Sequence, residues 1–169
     1  MGQSLPKPGL RPFLPADVPL LAEIFRASIE ELTGDDYSEA QQEAWASRAD
    51  DENFEKRLSE ALTLVATMDG SPLGFVSLKD NTHIDLFFVH PAVARQGVGA
   101  MLYDAVEKLA TARGAQRLTA EVSDTAMPFF QKRGFQPQRR NTVTIGDEWL
   151  ANTTMDKALA AATEGSKTS

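Results

Sequence analysis

The stretch from Val89 to Leu102, VHPAVARQGVGAML, constrains the fold of this chain more than any other. An apolar strand ends at Val89, a proline follows, and two glycines in the spacing G-x-G then open a helix. The start of a helix presents unpaired backbone N–H groups and the positive end of the helix dipole, and glycine lets a phosphate approach without a Cβ in the way. The stretch therefore predicts a pyrophosphate-binding turn with Arg95 at its rim. A loop that only needs positive φ angles remains the alternative.

Two familiar phosphate-binding motifs do not match this turn. The P-loop motif requires a lysine directly after its last glycine, but no lysine follows Gly99 until Lys108. The dinucleotide-binding motif requires a small residue where Leu102 stands. That motif also begins almost directly after its strand, whereas seven residues separate Val89 from Gly97. Neither motif therefore describes the turn.

Apolar periodicity and turn signals along the rest of the chain predict one mixed α/β domain. Helical spacing that starts at Asp17, a capping box from Ser38 to Gln41 and a short pattern over 53–61 predict three helices before the central strands. Two further helices run from the glycine turn to Gly114 and through TAMPFFQKR. The predicted strands, two pairs of which flank the turn signals D-G-S-P and G-D, are LRPFLP, TLVATM, LGFVSLK, HIDLFFV, QRLTAEV, NTVTI and EWLANTTM.

The charge of the chain is unevenly distributed and argues against several classes of function. Residues 1–80 hold 7 Lys/Arg against 15 Asp/Glu, while residues 81–169 hold 10 against 9, for a net charge of −7 in all. Nucleic-acid binding needs a basic face, so it is not expected. The chain contains no apolar run of about 18 residues, so a membrane span is not predicted, and we expect a cytoplasmic protein. The absence of cysteine excludes disulfides, cysteine metal sites and a covalent thiol intermediate.

The glycine turn resembles the acetyl-CoA-binding segment of the GNAT superfamily of N-acetyltransferases, in which V-H-P precedes Q/R-x-x-G-x-G/A at the start of a helix. Gly97 and Gly99 match the glycines, whereas Ala94 stands at the first position with Arg95 one residue later. The similarity covers roughly residues 9–159, from LRPFLPADVPLLAEIF through SDTAMPFFQKRGF. It implies a single-domain GNAT-like α/β fold: a mixed, mostly antiparallel sheet flanked by helices, with a V-shaped opening beside the fourth strand. The acetyltransferase domain would span residues 1–159, and residues 160–169 would form a disordered tail.

This resemblance implies direct transfer of the acetyl group of acetyl-CoA to an amine. The acceptor would be a small molecule or a peptide, no metal would take part, and a homodimer would be compatible with the family. A non-catalytic acyl-CoA-binding or regulatory module on the same fold is the alternative.

The resemblance also implies which residues bind the cofactor. Backbone groups of the fourth strand near Phe87, Phe88 and Val89 would bind the pantetheine arm. Ser123 stands where an asparagine often contacts that arm, and Phe130 stands where a tyrosine often serves as the acid near the sulfur. The pyrophosphate would lie on the residues of the turn, which are Arg95, Gln96, Gly97, Val98, Gly99 and Ala100.

Candidates for the catalytic base come from the strand HIDLFFV. The period of two along a strand places His83, Asp85, Phe87 and Val89 on one face and Ile84, Leu86 and Phe88 on the other. His83 has the better unperturbed pKa for a base near neutrality, and a neighbouring carboxylate would orient it, so His83 and Asp85 are the predicted catalytic residues. Glu121 on the next strand is the reserve. His83 and His90 are an odd number of positions apart and would face opposite sides of a strand, so they would not share a metal ion.

The acceptor pocket is less clearly indicated. Tyr37, Trp45 and Trp149 are candidates to line it, although aromatic residues at helical spacing also fill cores. Acidic residues within 30–60 would favour a cationic acceptor, unless they only form solvated helix faces.

Overall fold

The structure, a computed structural model, describes residues 8–159, so the predicted tail at 160–169 lies outside the described residues. A seven-stranded sheet in the order β1-β2-β3-β4-β5-β7-β6 is covered by helices on both faces. The elements in chain order are β1 Pro8–Pro12, α1 Val18–Leu32, α2 Glu39–Ala46, α3 Glu52–Ser59, β2 Leu62–Met68, β3 Ser71–Lys79, β4 His83–Val89, α4 Val98–Ala112, β5 Arg117–Ser123, α5 Met127–Lys132, β6 Gln136–Ile145 and β7 Glu148–Ala158.

Local signals placed most of these elements. Ser38 Oγ accepts from the backbone N–H of Gln41 at 3.1 Å, and Gln41 Oε1 accepts from the N–H of Ser38 at 2.8 Å, so the capping box that opens α2 is confirmed. The first strand ends at Pro12, earlier than predicted, because Asp17 accepts from the Leu14 N–H and a 3₁₀ turn begins at Pro15. Strand β6 is longer than predicted because its pairing with β7 continues to Gln136, and β7 is longer because its pairing with β5 continues to Ala158.

The sheet separates two apolar cores. On one face α4 and α5 pack against β2 to β5, with Leu102, Val106 and Phe130 among the buried side chains. On the other face α1, α2 and α3 cover the first half of the sheet around Phe25 and Phe75. The central strand β4 therefore contributes side chains to both cores.

A β-bulge interrupts β4 at Asp85. Ser77 of β3 pairs with Leu86 and Leu78 pairs with Ile84, so Asp85 has no partner in the register. Because a bulge adds one residue to one strand, the alternation of side chains changes face at this point. Ile84, Phe87 and Val89 consequently pack on the α4 face, while Leu86 and Phe88 pack on the α1 face. The predicted sharing of one face by His83, Asp85, Phe87 and Val89 was wrong for this reason.

The fourth and fifth strands pair over a very short length. They run parallel, as the only parallel neighbours among the described strands, and their register holds at His83 with Thr119 and at Ile84 with Ala120. Beyond these two pairs the strands separate, so the predicted V-shaped opening beside the fourth strand is confirmed. No helix between residues 8 and 159 is both long and apolar enough to cross a lipid bilayer.

Candidate active site

The turn between β4 and α4 has the backbone that its glycines predict. Gly97 adopts φ +90°, a left-handed conformation that other L-residues rarely adopt, and Arg95 lies at φ +66°. Gly99 is already in the first turn of α4, where an added Cβ would lie 3.4 Å from Cε1 of Phe129. One glycine is therefore needed for its φ angle and the other sits close against a neighbouring ring. The φ angle of Gly97 agrees with the explanation of the motif as a loop conformation, and the binding of a pyrophosphate there stays a prediction.

The start of α4 offers backbone N–H donors that have no helical partner. The Met101 N–H donates to the carbonyl of Gly97 at 3.0 Å, which closes the first turn of the helix. The N–H groups of Val98, Gly99 and Ala100 precede that bond and have no carbonyl of the helix to pair with. The Gln96 N–H already donates to Val93 at 3.2 Å, so the helix start proper supplies the free donors. Together with the positive end of a 15-residue helix, these donors suit a phosphate.

A groove of about 770 Å³ runs from this helix start into the opening between β4 and β5. Phe87, Phe88 and Val89 form its wall on β4, and Ser123 and Phe130 lie on the opposite side. The His90 N–H donates to Leu73 of β3 at 2.7 Å, and because polar groups alternate along an antiparallel strand, those of Phe87 and Val89 point into the groove. The groove has the size of a ligand site and offers backbone groups to an extended ligand.

Three cationic side chains line this groove. Arg95 is exposed at its rim, as predicted, and Lys132 and Arg133 at the end of α5 had not been predicted. The guanidinium of Arg133 lies 3.7 Å from the ring centre of Phe129, which keeps it beside the groove. Their signal in the sequence was the pair of basic residues directly after FFQ. A multiply charged phosphate ligand fits this lining.

A second cavity of about 290 Å³ lies on the α1 face of the sheet. Tyr37 and Trp45, two of the candidates for an acceptor pocket, line this cavity. The third candidate, Trp149, does not line it, and its side chain is 65% exposed. None of the acidic residues within 30–60 lines the cavity, because all of them lie on solvated helix and turn surfaces. Arg48 and Arg57 line it instead. The predicted acidic lining from this segment was therefore wrong.

The two cavities meet where β4 and β5 separate. Five residues line both of them, namely Trp45, Asp85, Phe88, Glu121 and Ser123. His83 lines the second cavity directly beside this junction. A ligand in the groove and a ligand in the second cavity would thus approach each other at the carboxylates of β4 and β5.

His83 is held by groups of β5. Its Nδ1 lies 2.7 Å from Oγ1 of Thr119, and its Nε2 lies 4.0 Å from Oε1 of Glu121. The second oxygen of Glu121 accepts from the hydroxyl of Thr154 at 3.0 Å. The ring is therefore fixed at one nitrogen and faces a carboxylate with the other.

Asp85 has a different partner from the one expected. Its two carboxylate oxygens accept from Nε and Nη2 of Arg57 at 3.0 and 3.1 Å, so the pair is bidentate. Arg57 comes from α3, which packs on the face that the bulge gives to Asp85. The carboxylate that faces His83 is that of Glu121, and the expectation that Asp85 orients the imidazole is wrong. No local signal pointed to Arg57, because its separation of 28 residues from Asp85 is closed by packing alone.

No tyrosine hydroxyl stands at the position of Phe130. Phe130 is buried and packs edge-on against Phe87, with ring centres 6.0 Å apart. The nearby hydroxyl of Tyr37 accepts from the Asp124 N–H at 2.9 Å and donates to the Ala151 carbonyl at 2.7 Å. Burial raises the pKa of Tyr37, so this phenol stays protonated and tied to the backbone.

A metal site does not form around the histidines. His90 lies beyond the end of β4, where its Nδ1 accepts from the Ala92 N–H at 3.0 Å. Within residues 8–159 no group of three or more His, Asp or Glu side chains is placed to hold a metal ion.

The splayed mixed sheet, with a glycine-started helix at the opening, is the arrangement found in solved acetyltransferases, and comparison with known proteins identifies the family. The family model described as an acetyltransferase (GNAT) domain matches residues 33–159. The N-acetyltransferase YafP of Escherichia coli (strain K12) is 31% identical over 143 residues, which cover 85% of this chain and 91% of that protein. The chain therefore belongs to the GNAT family of acetyltransferases, and the prediction of an acyltransferase is confirmed.

Further relatives agree in sequence and in fold. The peptidyl-lysine N-acetyltransferase YjaB of Salmonella typhimurium is 29% identical over 73% of this chain and 69% of its own length. A GCN5-related N-acetyltransferase from Rhodopseudomonas palustris has a TM-score of 0.87 at 57% identity and covers 94% of this chain and 100% of its own. The PaiA N-acetyltransferase of Thermoplasma acidophilum, solved with coenzyme A, shares the fold with a TM-score of 0.75 at 22% identity, over 90% of this chain and 99% of that one.

Proposed function

We propose that this acetyltransferase moves the acetyl group of acetyl-CoA directly to an amine bound in the second cavity, here named the acceptor cavity. The observation that carries the proposal is the meeting of the two cavities at the separated ends of β4 and β5. A thioester in the groove and an amine in the acceptor cavity would be brought together without a covalent enzyme intermediate, and proximity of this kind lowers the barrier substantially.

The residues of the groove fit coenzyme A. The N–H groups of Val98, Gly99 and Ala100 would bind the pyrophosphate, and Gln96 and Gly97 shape the turn that presents them. Arg95, Lys132 and Arg133 would offset the charge of the phosphates. The polar backbone groups of Phe87 and Val89 would pair with the pantetheine arm like a neighbouring strand, and Ser123, which lines the groove, would contact the same arm. Support comes from the structural neighbour PaiA, which was solved with coenzyme A.

His83 is the group that we propose removes the proton from the attacking amine. Its ring is oriented by Thr119, and the carboxylate of Glu121 would stabilise the imidazolium that forms. Asp85 contributes by position: paired with Arg57, it lines both cavities at the bulge.

The leaving group departs without help from a tyrosine. Acetyl-CoA would supply a thioester, and a thiol with an unperturbed pKa of about 8.5 leaves readily as its anion. Phe130 has no hydroxyl and the hydroxyl of Tyr37 is already engaged by two backbone groups. We infer that solvent protonates the departing thiolate.

The acceptor is an amine on a small molecule or a peptide. The relative YjaB is named for peptidyl-lysine, so a lysine side chain entering the acceptor cavity is one form the acceptor could take. The cavity of about 290 Å³ admits a group of this size, or a small free amine.

Two measurements test the proposal. Calorimetry should show binding of coenzyme A by the protein, and thiol release from acetyl-CoA should rise when an accepted amine is added. Absence of heat with coenzyme A would remove the cofactor assignment. Tight binding together with no turnover on free amines or lysine peptides would instead leave the protein without the proposed transfer activity.

A further inference from the structure

The acceptor cavity contains an arginine that has no side-chain partner among residues 8–159. Arg48 lies in the turn after α2 and lines the acceptor cavity, but not the cofactor groove. Among residues 8–159 its guanidinium forms no ion pair and no hydrogen bond. The other arginine of the cavity, Arg57, is neutralised by Asp85.

The lack of a partner for Arg48 is notable because carboxylates surround it in the sequence. Asp50 pairs with Arg26 at 2.7 Å, and Asp51 accepts from the Asn53 N–H at 3.0 Å to cap α3. Both nearby carboxylates are thus used elsewhere. A solvent-exposed guanidinium that lines a small cavity and has no partner among residues 8–159 is free to bind an anion from outside the protein.

The lining of the acceptor cavity mixes polar and apolar groups. Glu121 and His83 lie at the junction with the cofactor groove, where the amine would be acetylated. Arg48 contributes a cationic side chain to the same cavity and does not line the groove. The remaining walls combine apolar side chains, which are Phe25, Phe88, Val143, Ile145 and Leu150, with the polar residues Arg57, Asp85 and Asn152.

We propose that the acceptor is an amine that also carries a carboxylate, with Arg48 binding that carboxylate while His83 and Glu121 face the amine. This inference rests on the proposed function and specifies the substrate class of the same site. A planar guanidinium matches a carboxylate through two parallel hydrogen bonds, so it selects this group over an uncharged amide of the same size. A peptidyl lysine, whose backbone offers no carboxylate at that place, would gain nothing from Arg48.

The test compares each carboxylate with its own carboxamide. L-leucine, L-phenylalanine and 5-aminovaleric acid are assayed for thiol release beside L-leucinamide, L-phenylalaninamide and 5-aminovaleramide, with a lysine-containing peptide as a further acceptor. For at least one pair we expect kcat/KM of the wild type to favour the carboxylate. Arg48→Gln should lower kcat/KM for that carboxylate about ten- to a hundredfold, mainly through KM, and change the value for the carboxamide less than about twofold.

Two controls isolate the role of Arg48. Comparing the variant with the wild type on one compound cancels the difference in amine pKa between a carboxylate and its carboxamide. Arg113→Gln removes the same charge at the exposed end of α4, away from both cavities, and should leave the preference intact.

The outcomes separate this inference from the proposed function. Equal use of carboxamides, preference for the lysine peptide, or an equal loss on both members of a pair in Arg48→Gln would overturn the inference while leaving acetyl transfer in place. If no compound is turned over, calorimetry of the coenzyme A-loaded protein with the same pairs decides. Binding of the carboxylate that Arg48→Gln abolishes supports the inference, and absence of that preference overturns it. Failure to bind coenzyme A removes the proposed function itself.

Discussion

The cofactor groove and the acceptor cavity meet at one point of the sheet but are built in different ways. The free backbone donors of the groove come from one continuous stretch at the start of α4, residues 98–100, beside the cationic side chains of Arg95, Lys132 and Arg133. The acceptor cavity is lined by side chains from helices α1 to α3 and strands β4 to β7, which lie up to 127 positions apart in the chain, from Phe25 to Asn152. A helix start binds an anion through its own geometry, whereas a pocket assembled from many elements exists only after they pack. The two halves should consequently respond differently to substitution.

Replacing His83 should cause the largest loss of activity. The loss should come from the acceptor side and not from binding of the cofactor. We expect His83→Ala to lower kcat about 10²- to 10⁴-fold, because general-base catalysis contributes an acceleration of that order. The affinity for coenzyme A, measured by calorimetry, should stay within about twofold, since the cofactor donors lie on α4. A loss of less than about tenfold in kcat would contradict the role of His83 and point to Glu121 as the base.

Replacing Gly97, in contrast to replacing His83, should weaken binding of the cofactor. Gly97→Ala forces a methyl group into a backbone at φ +90° and should cost about 1 kcal/mol of stability. The same substitution at Gly70, in the β2–β3 turn at φ +88°, should cost about as much. Only Gly97→Ala should also weaken coenzyme A binding, by about tenfold, because only its turn presents donors to the cofactor. Thermal unfolding and calorimetry on both variants check this, and equal affinities would argue against a pyrophosphate at the turn.

The smallest effect is expected from removing the ion pair between Asp124 and Arg140, which lies next to Tyr37 in the wall of the acceptor cavity. Two hydrogen bonds from Arg140 lower the pKa of Asp124, whose N–H also holds Tyr37. Because the folded pKa lies below the unfolded value of about 3.9, this stabilisation is present above that value and is lost as the pH falls through the folded pKa. Asp124→Asn should therefore reduce the free energy of unfolding at pH 7 by less than about 1 kcal/mol, since Arg140 is largely exposed.

Urea unfolding at pH 7 and near pH 3 measures that difference. The wild type and Asp124→Asn should converge at the lower pH, where the carboxylate is becoming protonated in both the folded and the unfolded state. An equal gap at both values would show that the loss comes from packing at the wall and not from the charge of Asp124.

Much of the fold could be predicted because its signals are local. The capping box at Ser38, the Asp69–Gly70 turn and the glycines before α4 each act within a few residues, so the sequence around them is sufficient. The bulge at Asp85 could not be read in this way. From Leu86 to Val89 every residue of the strand is apolar, because β4 is covered on both faces, and such a run does not show where the register shifts.

The sequence by itself determined the helix start that offers free N–H groups. The order of residues 94–101 sets the φ angle at Gly97, and the first N–H groups of the helix have no preceding helical carbonyl to pair with. It also determined the resemblance that identifies the family. Only the tertiary structure decided that Arg57 neutralises Asp85 and that Glu121 faces His83. It also decided that Arg48 lines the acceptor cavity with no side-chain partner among residues 8–159. The physical reason is distance along the chain: each of these relations joins side chains from different elements, and packing of both sheet faces sets which charges meet.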